Sequence, residues 1–227
     1  VTGGLEKFDD INTAHKIPEV WDPVTATWNA STLAADLQKR DYHSTALLLP
    51  DGRVLSAGGD LEAAQRKIPT IYWPPYLFDA YGNAPPRPTL SATQTVIGFR
   101  RPDTQQFTIC TPDAGSIAKV ALIRPAAVTH AFDQSQRYVP LAFSADPLTC
   151  KLIVTNPDSN SVPAGDYMLF LVSDAGFPAL GRWVKVRSGR NSPLSIICAA
   201  CPGGGNAPMV DGGTAGGVGG ASLASAN

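Results

Sequence analysis

Tyr42-His43-Ser44-Thr45-Ala46-Leu47-Leu48-Leu49-Pro50-Asp51-Gly52-Arg53-Val54-Leu55-Ser56-Ala57-Gly58-Gly59 is the stretch that decides the fold. An Asp-Gly pair between two apolar runs is a strong hairpin signal, because Gly takes the positive φ that tight turns need. The double Gly at its end suits a place where the backbone must crowd a neighbour or turn sharply. The same pair stands 55 residues earlier, at Gly3-Gly4. After each pair come a polar loop and a short strand: Pro18 to Pro23, with Trp28 after a turn, and then Pro69 to Trp73. A period near 50 residues built of short strands is the pattern of a kelch-type propeller blade. Residues 1–84 are therefore expected to form the C-terminal part of a kelch-type β-propeller. A propeller needs about four blades of ~50 residues, and one blade with part of another cannot bury its faces alone. Val1-Thr2-Gly3-Gly4 reads as the end of a strand, and the chain as a piece of a longer protein whose earlier blades are missing.

Working outward, Pro85-Pro86-Arg87-Pro88 forces an extended connection and marks a boundary. Seven short strands are expected after it, at residues 94–97, 106–109, 119–123, 138–143, 150–154, 166–172 and 181–186. That density is the pattern of an immunoglobulin-like β-sandwich, placed at 85–188. The Cys, Trp and Cys spacing of an antibody domain is absent, so only the architecture is expected. The fold class is thus all-β: a partial propeller followed by a sandwich. The last stretch, 189–227, turns into Gly, Ala and Ser and is expected to be a flexible tail.

Composition narrows the function. Lys plus Arg is 18 and Asp plus Glu 19, a formal charge of -1, which lacks the basic excess of a nucleic-acid or anionic-membrane binder. With 21 Gly and 20 Pro among 227 residues the chain is rich in turns, and 44% hydrophobic residues supply a real core. No run approaches the ~18 apolar residues of a membrane-spanning helix. The sequence also lacks a G-x-x-x-x-G-K-[ST] phosphate loop and a G-x-S-x-G nucleophile elbow. Asn29-Ala30-Ser31 is a glycosylation sequon.

Four cysteines stand at 110, 150, 198 and 201. A Cys110–Cys150 disulfide is one possibility, but sequence does not fix connectivity. The lone Cys198-Ala199-Ala200-Cys201 has no second ligand pair, so a zinc site is disfavoured against disulfides or free thiols. An oxidising compartment is allowed by this usage rather than demonstrated.

Chemistry-bearing residues are few. His15 sits in a polar loop and reads as a solvated surface residue. His43 follows Tyr42 at the start of the hairpin, and His130 lies between two sandwich strands; each taken alone reads as a histidine packed at a domain interface. Together, Tyr42, His43 and His130 form an N,N,O donor set of the kind copper(II) prefers. A metal beside Tyr42 would favour its phenolate form. One obstacle is geometric: adjacent residues on a regular strand point to opposite faces. Tyr42 and His43 can reach one metal only where the strand begins, before the pleat is established.

The segment Arg40 to Val54 closely resembles the last propeller blade of the galactose oxidase and glyoxal oxidase family, the copper radical oxidases. Ile123 to Leu141 and Pro163 to Phe170 are similar to the same family's C-terminal sandwich domain. The resemblance runs in order over roughly residues 1–188. It implies one copper ion held by Tyr42, His43 and His130, with Tyr42 as axial ligand and as the base that takes the substrate's hydroxyl proton. It implies oxidation of a small aldehyde or primary alcohol, with O2 reduced to H2O2. The family's cysteine-linked tyrosine, which carries the radical, belongs to earlier blades and is expected only in the missing N-terminal part. Leu5-Glu6-Lys7 stands where the galactose-binding branch carries a glutamine, which favours small aldehydes as in the glyoxal oxidase branch. The partners implied are that small substrate, O2 and the missing blades, in an extracellular or cell-surface setting. A non-catalytic propeller and sandwich module binding glycans or proteins at a cell surface stays open beside it.

Overall fold

The computed structural model describes residues 1–29, 33–60, 67–102, 104–135, 137–193 and 195–201. Ala30 and Ser31 of the sequon, and the glycine-rich tail from 202 onward, lie outside the described residues. The structure is all-β; its only helical pieces among the described residues are three single 3-10 turns.

The first part holds β1 (Val20–Asp22), β2 (Thr27–Asn29), β3 (Ser44–Leu48), β4 (Val54–Gly58) and β5 (Thr70–Tyr72). Strands β3, β4 and β5 form an antiparallel three-stranded sheet, and Asp51-Gly52 turns β3 into β4 with Gly52 at φ +83°. Strands β1 and β2 form a separate hairpin whose opposed Trp21 and Trp28 rings pack at a tilt of 55° with centroids 5.3 Å apart. Residues 1–4 form no strand, contrary to the reading of Val1 to Gly4 as a strand end. They are held instead by single backbone bonds, Gly4 N–H to the Arg40 carbonyl and His15 N–H to the Gly4 carbonyl, both 2.9 Å. A Cβ at Gly3 would lie 2.6 Å from Arg40 Cβ, so the glycine is what lets these two segments touch.

The second part contains β6 (Ala92–Thr93), β7 (Val96–Gly98), β8 (Gln106–Cys110), β9 (Ile117–Ile123), β10 (Val128–Thr129), β11 (Phe132–Asp133), β12 (Tyr138–Leu141), β13 (Phe143–Asp146), β14 (Lys151–Thr155), β15 (Gly165–Ser173) and β16 (Arg182–Arg187). Two sheets form the sandwich, one in the order β12-β9-β15-β16-β7 and the other β13-β14-β8-β6. Alternate residues point into the space between them: Phe107 and Ile109, Leu152 and Val154, Leu169 and Leu171, Val184 and Val186 are buried in one core. Each such side chain contributes roughly 1.5–3 kcal/mol by leaving water. Residues 138–143, which the sequence reads as one strand, split at Ala142 into β12 and β13 in different sheets. Pro140 explains the position of β12, since a proline cannot donate to a second neighbour and so lies on an edge strand.

The cysteine pairing differs from the Cys110–Cys150 possibility. The disulfides are Cys110–Cys198 and Cys150–Cys201. Cys110 and Cys150 lie beside each other, Cys110 on β8 and Cys150 just before β14, and each is joined to the segment that follows β16. Asn191 adds to this hold, accepting from Gly98 N–H (2.8 Å) and donating to the Gln106 carbonyl (2.7 Å). Asn191, Cys198 and Cys201, within the stretch expected as a flexible tail, are thus tied to the sandwich.

The two parts meet closely. Arg87 reaches the Asp51 carbonyl at the hairpin tip (2.7 Å) and the Pro178 and Ala179 carbonyls of the sandwich (2.6 and 2.9 Å). Gly181 N–H donates to the Pro50 carbonyl at 2.7 Å.

Candidate metal centre

Tyr42 and His43 occupy the middle of a turn that delivers the chain into β3. Ser44 N–H closes it on the Asp41 carbonyl at 3.0 Å, and His43 has φ +61°. A positive φ at the third residue is the signature of a type II turn. It removes the obstacle of strand alternation: the two rings lie on the same side, with centroids 3.8 Å apart and planes at 35°. A non-glycine residue in this region costs on the order of 1–3 kcal/mol and persists only when its surroundings impose it. Gly58 on the paired strand is part of that imposition. A Cβ there would stand 2.8 Å from the His43 carbonyl oxygen, so only glycine lets the turn close.

A buried ion pair underlies the turn. Arg40 and Asp36 are each 1% exposed and meet through Nε and Oδ2 at 3.2 Å. Arg40 also donates to the carbonyls of Gly58 (3.3 Å) and Ile68 (2.7 Å), which joins β4 and the approach to β5 to the residue just before Asp41. Asp36 accepts from Thr70 Oγ1 (2.7 Å), Ser56 Oγ (3.3 Å) and Gln38 N–H (2.9 Å). Burial alone would raise the Asp36 carboxyl. The hydrogen bonds from Thr70, Gln38 and Arg40, with the guanidinium charge, outweigh it and hold the pKa below the ordinary carboxylate value.

His130 arrives from the sandwich on the β10–β11 hairpin, which the sequence did not reveal. Thr129 pairs with Phe132, so His130 and Ala131 form a two-residue loop, with φ +54° and +60°. Two successive positive φ values mark a type I′ turn, usually built from Asn-Gly. Here no Asn-Gly is present, which is why the hairpin was illegible. Asp133 Oδ1 steadies its base by accepting from Ala127 N–H (2.9 Å) and Ser135 N–H (3.0 Å).

The three residues singled out from the sequence converge. Tyr42 Oη lies 2.6 Å from His130 Nε2, and the His43 and His130 rings stand 5.8 Å apart, nearly perpendicular. His130 Nδ1 is 2.8 Å from Thr129 Oγ1, which leaves Nε2 facing Tyr42. His43 Nδ1 is 3.4 Å from Asp60 Oδ2. Tyr42, His43 and His130 line one cleft of about 800 Å³ together with Leu5, Phe8 and Val128. The sequence reading missed Asp60, which also lines the cleft, and Thr129, which touches His130 Nδ1; nothing in spacing or composition marks either. His15 is elsewhere, exposed and 3.4 Å from Glu6.

The donor set fits copper in kind: two imidazole nitrogens and a phenolic oxygen. Among the described residues no three or more His, Cys, Asp or Glu gather as a metal site; the third donor of this set is the tyrosine oxygen. All four cysteines of the chain are in disulfides, so none is available to modify a tyrosine.

Residues 87–186 match the galactose oxidase-like, early set domain. The chain is 33% identical over 198 residues to the galactose oxidase of Gibberella zeae, covering 82% of this chain and 27% of that protein. It is 33% identical over 168 residues to the aldehyde oxidase GLOX of Vitis pseudoreticulata, covering 68% of this chain and 31% of that one. Among solved structures it superposes with a TM-score of 0.70 on a fungal alcohol oxidase in complex with copper, at 28% identity, covering 82% of this chain and 41% of that one. The chain spans less than a third of the length of these two curated relatives.

Proposed function

Because the chain belongs to the galactose oxidase and glyoxal oxidase family, we propose that it is the C-terminal part of a copper radical oxidase acting on small aldehydes or primary alcohols. The observation that carries this reading is the convergence of Tyr42, His43 and His130 from two sheets, with Tyr42 Oη 2.6 Å from His130 Nε2. In this reading His43 and His130 hold one copper ion through imidazole nitrogens, and Tyr42 Oη is the third ligand. The copper supplies a one-electron acceptor, and a cysteine-linked tyrosine expected upstream of these residues supplies the second oxidising equivalent.

Tyr42 carries the acid-base work. Its oxygen, in the lining of the cleft, takes the hydroxyl proton of R-CH2-OH or of the hydrated aldehyde R-CH(OH)2. The substrate loses two electrons and two protons to become the aldehyde or acid, and O2 gains both to become H2O2. Thr129 holds the His130 ring with Nε2 turned toward Tyr42, which keeps the base and the ligand in register. Leu5, Phe8 and Val128 give the cleft an apolar wall suited to a small carbon chain. Leu5-Glu6-Lys7, in place of a glutamine, inclines the choice toward small aldehydes rather than galactose. We place the protein outside the cell or at its surface: both disulfides close readily in an oxidising compartment, and no helix among the described residues is long and apolar enough to cross a membrane. Residues 1–84, by the same proposal, pack against further propeller blades of the same protein.

The test is copper and peroxide measured on the protein that joins this chain to its upstream blades. One copper per molecule and H2O2 released on adding an aldehyde or primary alcohol are expected. Tyr42→Phe should retain copper and lose turnover by orders of magnitude, whereas His130→Ala should lose the copper. Full copper occupancy in His130→Ala would refute the ligand assignment. The second reading, a non-catalytic module binding glycans or proteins, is favoured by one observation, that no cysteine of this chain is free to form the radical cofactor. Copper-loaded protein without peroxide release on any alcohol or aldehyde would select it.

A further inference from the structure

We propose that Asp60 is a positioning residue for His43, fixing the ring so that Nε2 is the nitrogen offered to the metal; this rests on the copper reading above. Gly58 and Gly59, at φ +84° and +118°, turn the chain back directly after β4, and the next residue is Asp60. Its backbone N–H donates to Asp41 Oδ1 at 3.1 Å, which anchors it to the residue that opens the Tyr42-His43 turn. Its carboxylate Oδ2 then stands 3.4 Å from His43 Nδ1. The two groups are 45% and 53% exposed, so beside the Tyr42 ring, whose centroid is 3.8 Å away, the Asp60 carboxylate is the group placed to set the His43 ring. An acidic oxygen beside Nδ1 selects the tautomer that carries its proton there, which leaves Nε2 with its lone pair for coordination.

The comparison with His130 strengthens this. There, too, an oxygen from a side chain occupies Nδ1, but it is the hydroxyl of Thr129, one residue back on the same hairpin. His43 cannot be served in the same way, because its preceding residue is Tyr42, itself turned toward the cleft. The guiding oxygen has to come from the partner strand, and the double glycine brings it there. The two imidazoles are thus oriented by different chemistry, one neutral and one anionic, so the anionic charge of Asp60 falls on the His43 side of the centre.

Two measurements on the protein that joins this chain to its upstream blades test the inference. In metal-free protein, 15N shifts of His43 should report a proton on Nδ1, and Asp60→Ala should move the ring to a mixture of tautomers. With Cu(II) alone as the probe, Asp60→Ala should weaken binding about 10- to 100-fold, in keeping with loss of an outer-sphere carboxylate on a ligating histidine, and should change the Cu(II) electron paramagnetic resonance spectrum. Asp60→Glu should recover most of both. Dispersed amide signals from the sandwich in each variant show that the fold survives. An unchanged tautomer or an unchanged Cu(II) affinity in Asp60→Ala, with the wild type binding one Cu(II), overturns the role of Asp60 and leaves the oxidase reading standing. A wild-type protein that binds no Cu(II) while His43 still shifts its tautomer in Asp60→Ala overturns the oxidase reading and the metal role together, and leaves only a carboxylate that sets a histidine's tautomer.

Discussion

Tyr42 Oη and His130 Nε2 lie 2.6 Å apart although 88 residues separate them in the chain. Each is borne on a turn with a left-handed residue, so neither position is a by-product of regular strand geometry. The contact needs the two sheets to be held rigidly, and the structure holds them from the other end of the same hairpin. Start and tip of β3–β4 are both fastened to the sandwich, the start through Tyr42 and His130, the tip through Arg87.

Replacing Arg87 should therefore loosen a site on which it has no contact. Its guanidinium spans three carbonyls, one of the hairpin and two of the sandwich. A hydrogen bond to a charged donor is worth about 1.5–3 kcal/mol, and neighbouring ones do not add fully. Arg87→Ala is expected to cost about 3 kcal/mol in denaturant unfolding and to weaken Cu(II) binding as well. Arg87→Lys should recover little, since an ammonium cannot reach three acceptors in a fork. A lysine variant as stable as the wild type would show that the charge alone, and not the fork, joins the sheets.

Gly58 offers a second and more local test. A β-carbon would press on the His43 carbonyl oxygen at 2.8 Å, and the backbone is already at φ +84°. Gly58→Ala should cost roughly 1–3 kcal/mol, the scale for strained backbone positions. Most of the damage should fall on His43. Copper affinity should drop, whereas the sandwich amides, monitored by hydrogen exchange, should keep their protection.

Much of this was readable from the chain. Asp51-Gly52 placed the hairpin, and the density of short strands pointed to an all-β sandwich; Phe107, Leu152 and Val184 sit in its core because alternate strand residues face inward. What was not readable depends on geometry that no local pattern carries. The His130 hairpin has strands of two residues and no Asn-Gly, so its turn is imposed by its surroundings. The disulfides join Cys110, on β8, and Cys150, just before β14, to Cys198 and Cys201, because both stand within reach of the segment that follows β16, a proximity no local pattern encodes. The site residues could be named from a family likeness, but Asp60 could not: its role follows from two glycines turning the chain, and a glycine pair alone does not say where the next side chain will point.

Acid should act on the floor of the site before it reaches the sandwich core. Asp36 has a folded-state pKa below its ordinary value. Its contribution to stability is thus complete above the unfolded carboxylate pKa, near 3.9, and is lost as pH falls from there toward the lower folded value. Breaking a buried pair is costly because Arg40 is left charged and buried without its counter-charge, still donating to the Gly58 and Ile68 carbonyls. A pH titration followed by tryptophan fluorescence should show Trp73, two residues beyond Ile71, responding below about pH 4. Asp36→Asn should flatten that response, at the cost of lower stability at neutral pH. A wild-type response that persists unaltered in Asp36→Asn would assign the acid transition to other carboxylates.

Reduction should separate the C-terminal segment from the sandwich. The two disulfides enclose separations of 88 and 51 residues, and closing loops of that size stabilises a chain by about 4 kcal/mol each in the loop-entropy account. A Cys198→Ser, Cys201→Ser variant should unfold at a markedly lower temperature, and Asn191 should lose hydrogen-exchange protection at the Gly98 amide it caps. The Tyr42–His130 contact lies away from that segment, so Cu(II) affinity should be unchanged in folded protein.

Alkali tests the interface from the opposite side. Burial pushes the Tyr76 phenol up to about 12, with the Asp51 charge adding to the effect and Arg87 opposing it. Tyr76 donates to the Gly52 carbonyl at the hairpin tip, so only its neutral form makes the bond. Because the folded-state pKa is raised, the stabilisation is fully present below the unfolded tyrosine value near 10 and is lost as pH rises through about 12. Tyr72 is also pushed to about 12, first by burial and then by the Asp36 charge. Absorbance at the phenolate band should therefore show Tyr72 and Tyr76 ionising in a late step near pH 12. Tyr76→Phe should remove one late-titrating phenol and reduce the loss of stability between about pH 10 and 12. If the late step keeps its full amplitude in that variant, the hairpin tip is not sealed against the sandwich in solution, and the support that Arg87 and Tyr76 give to the site from below is not rigid.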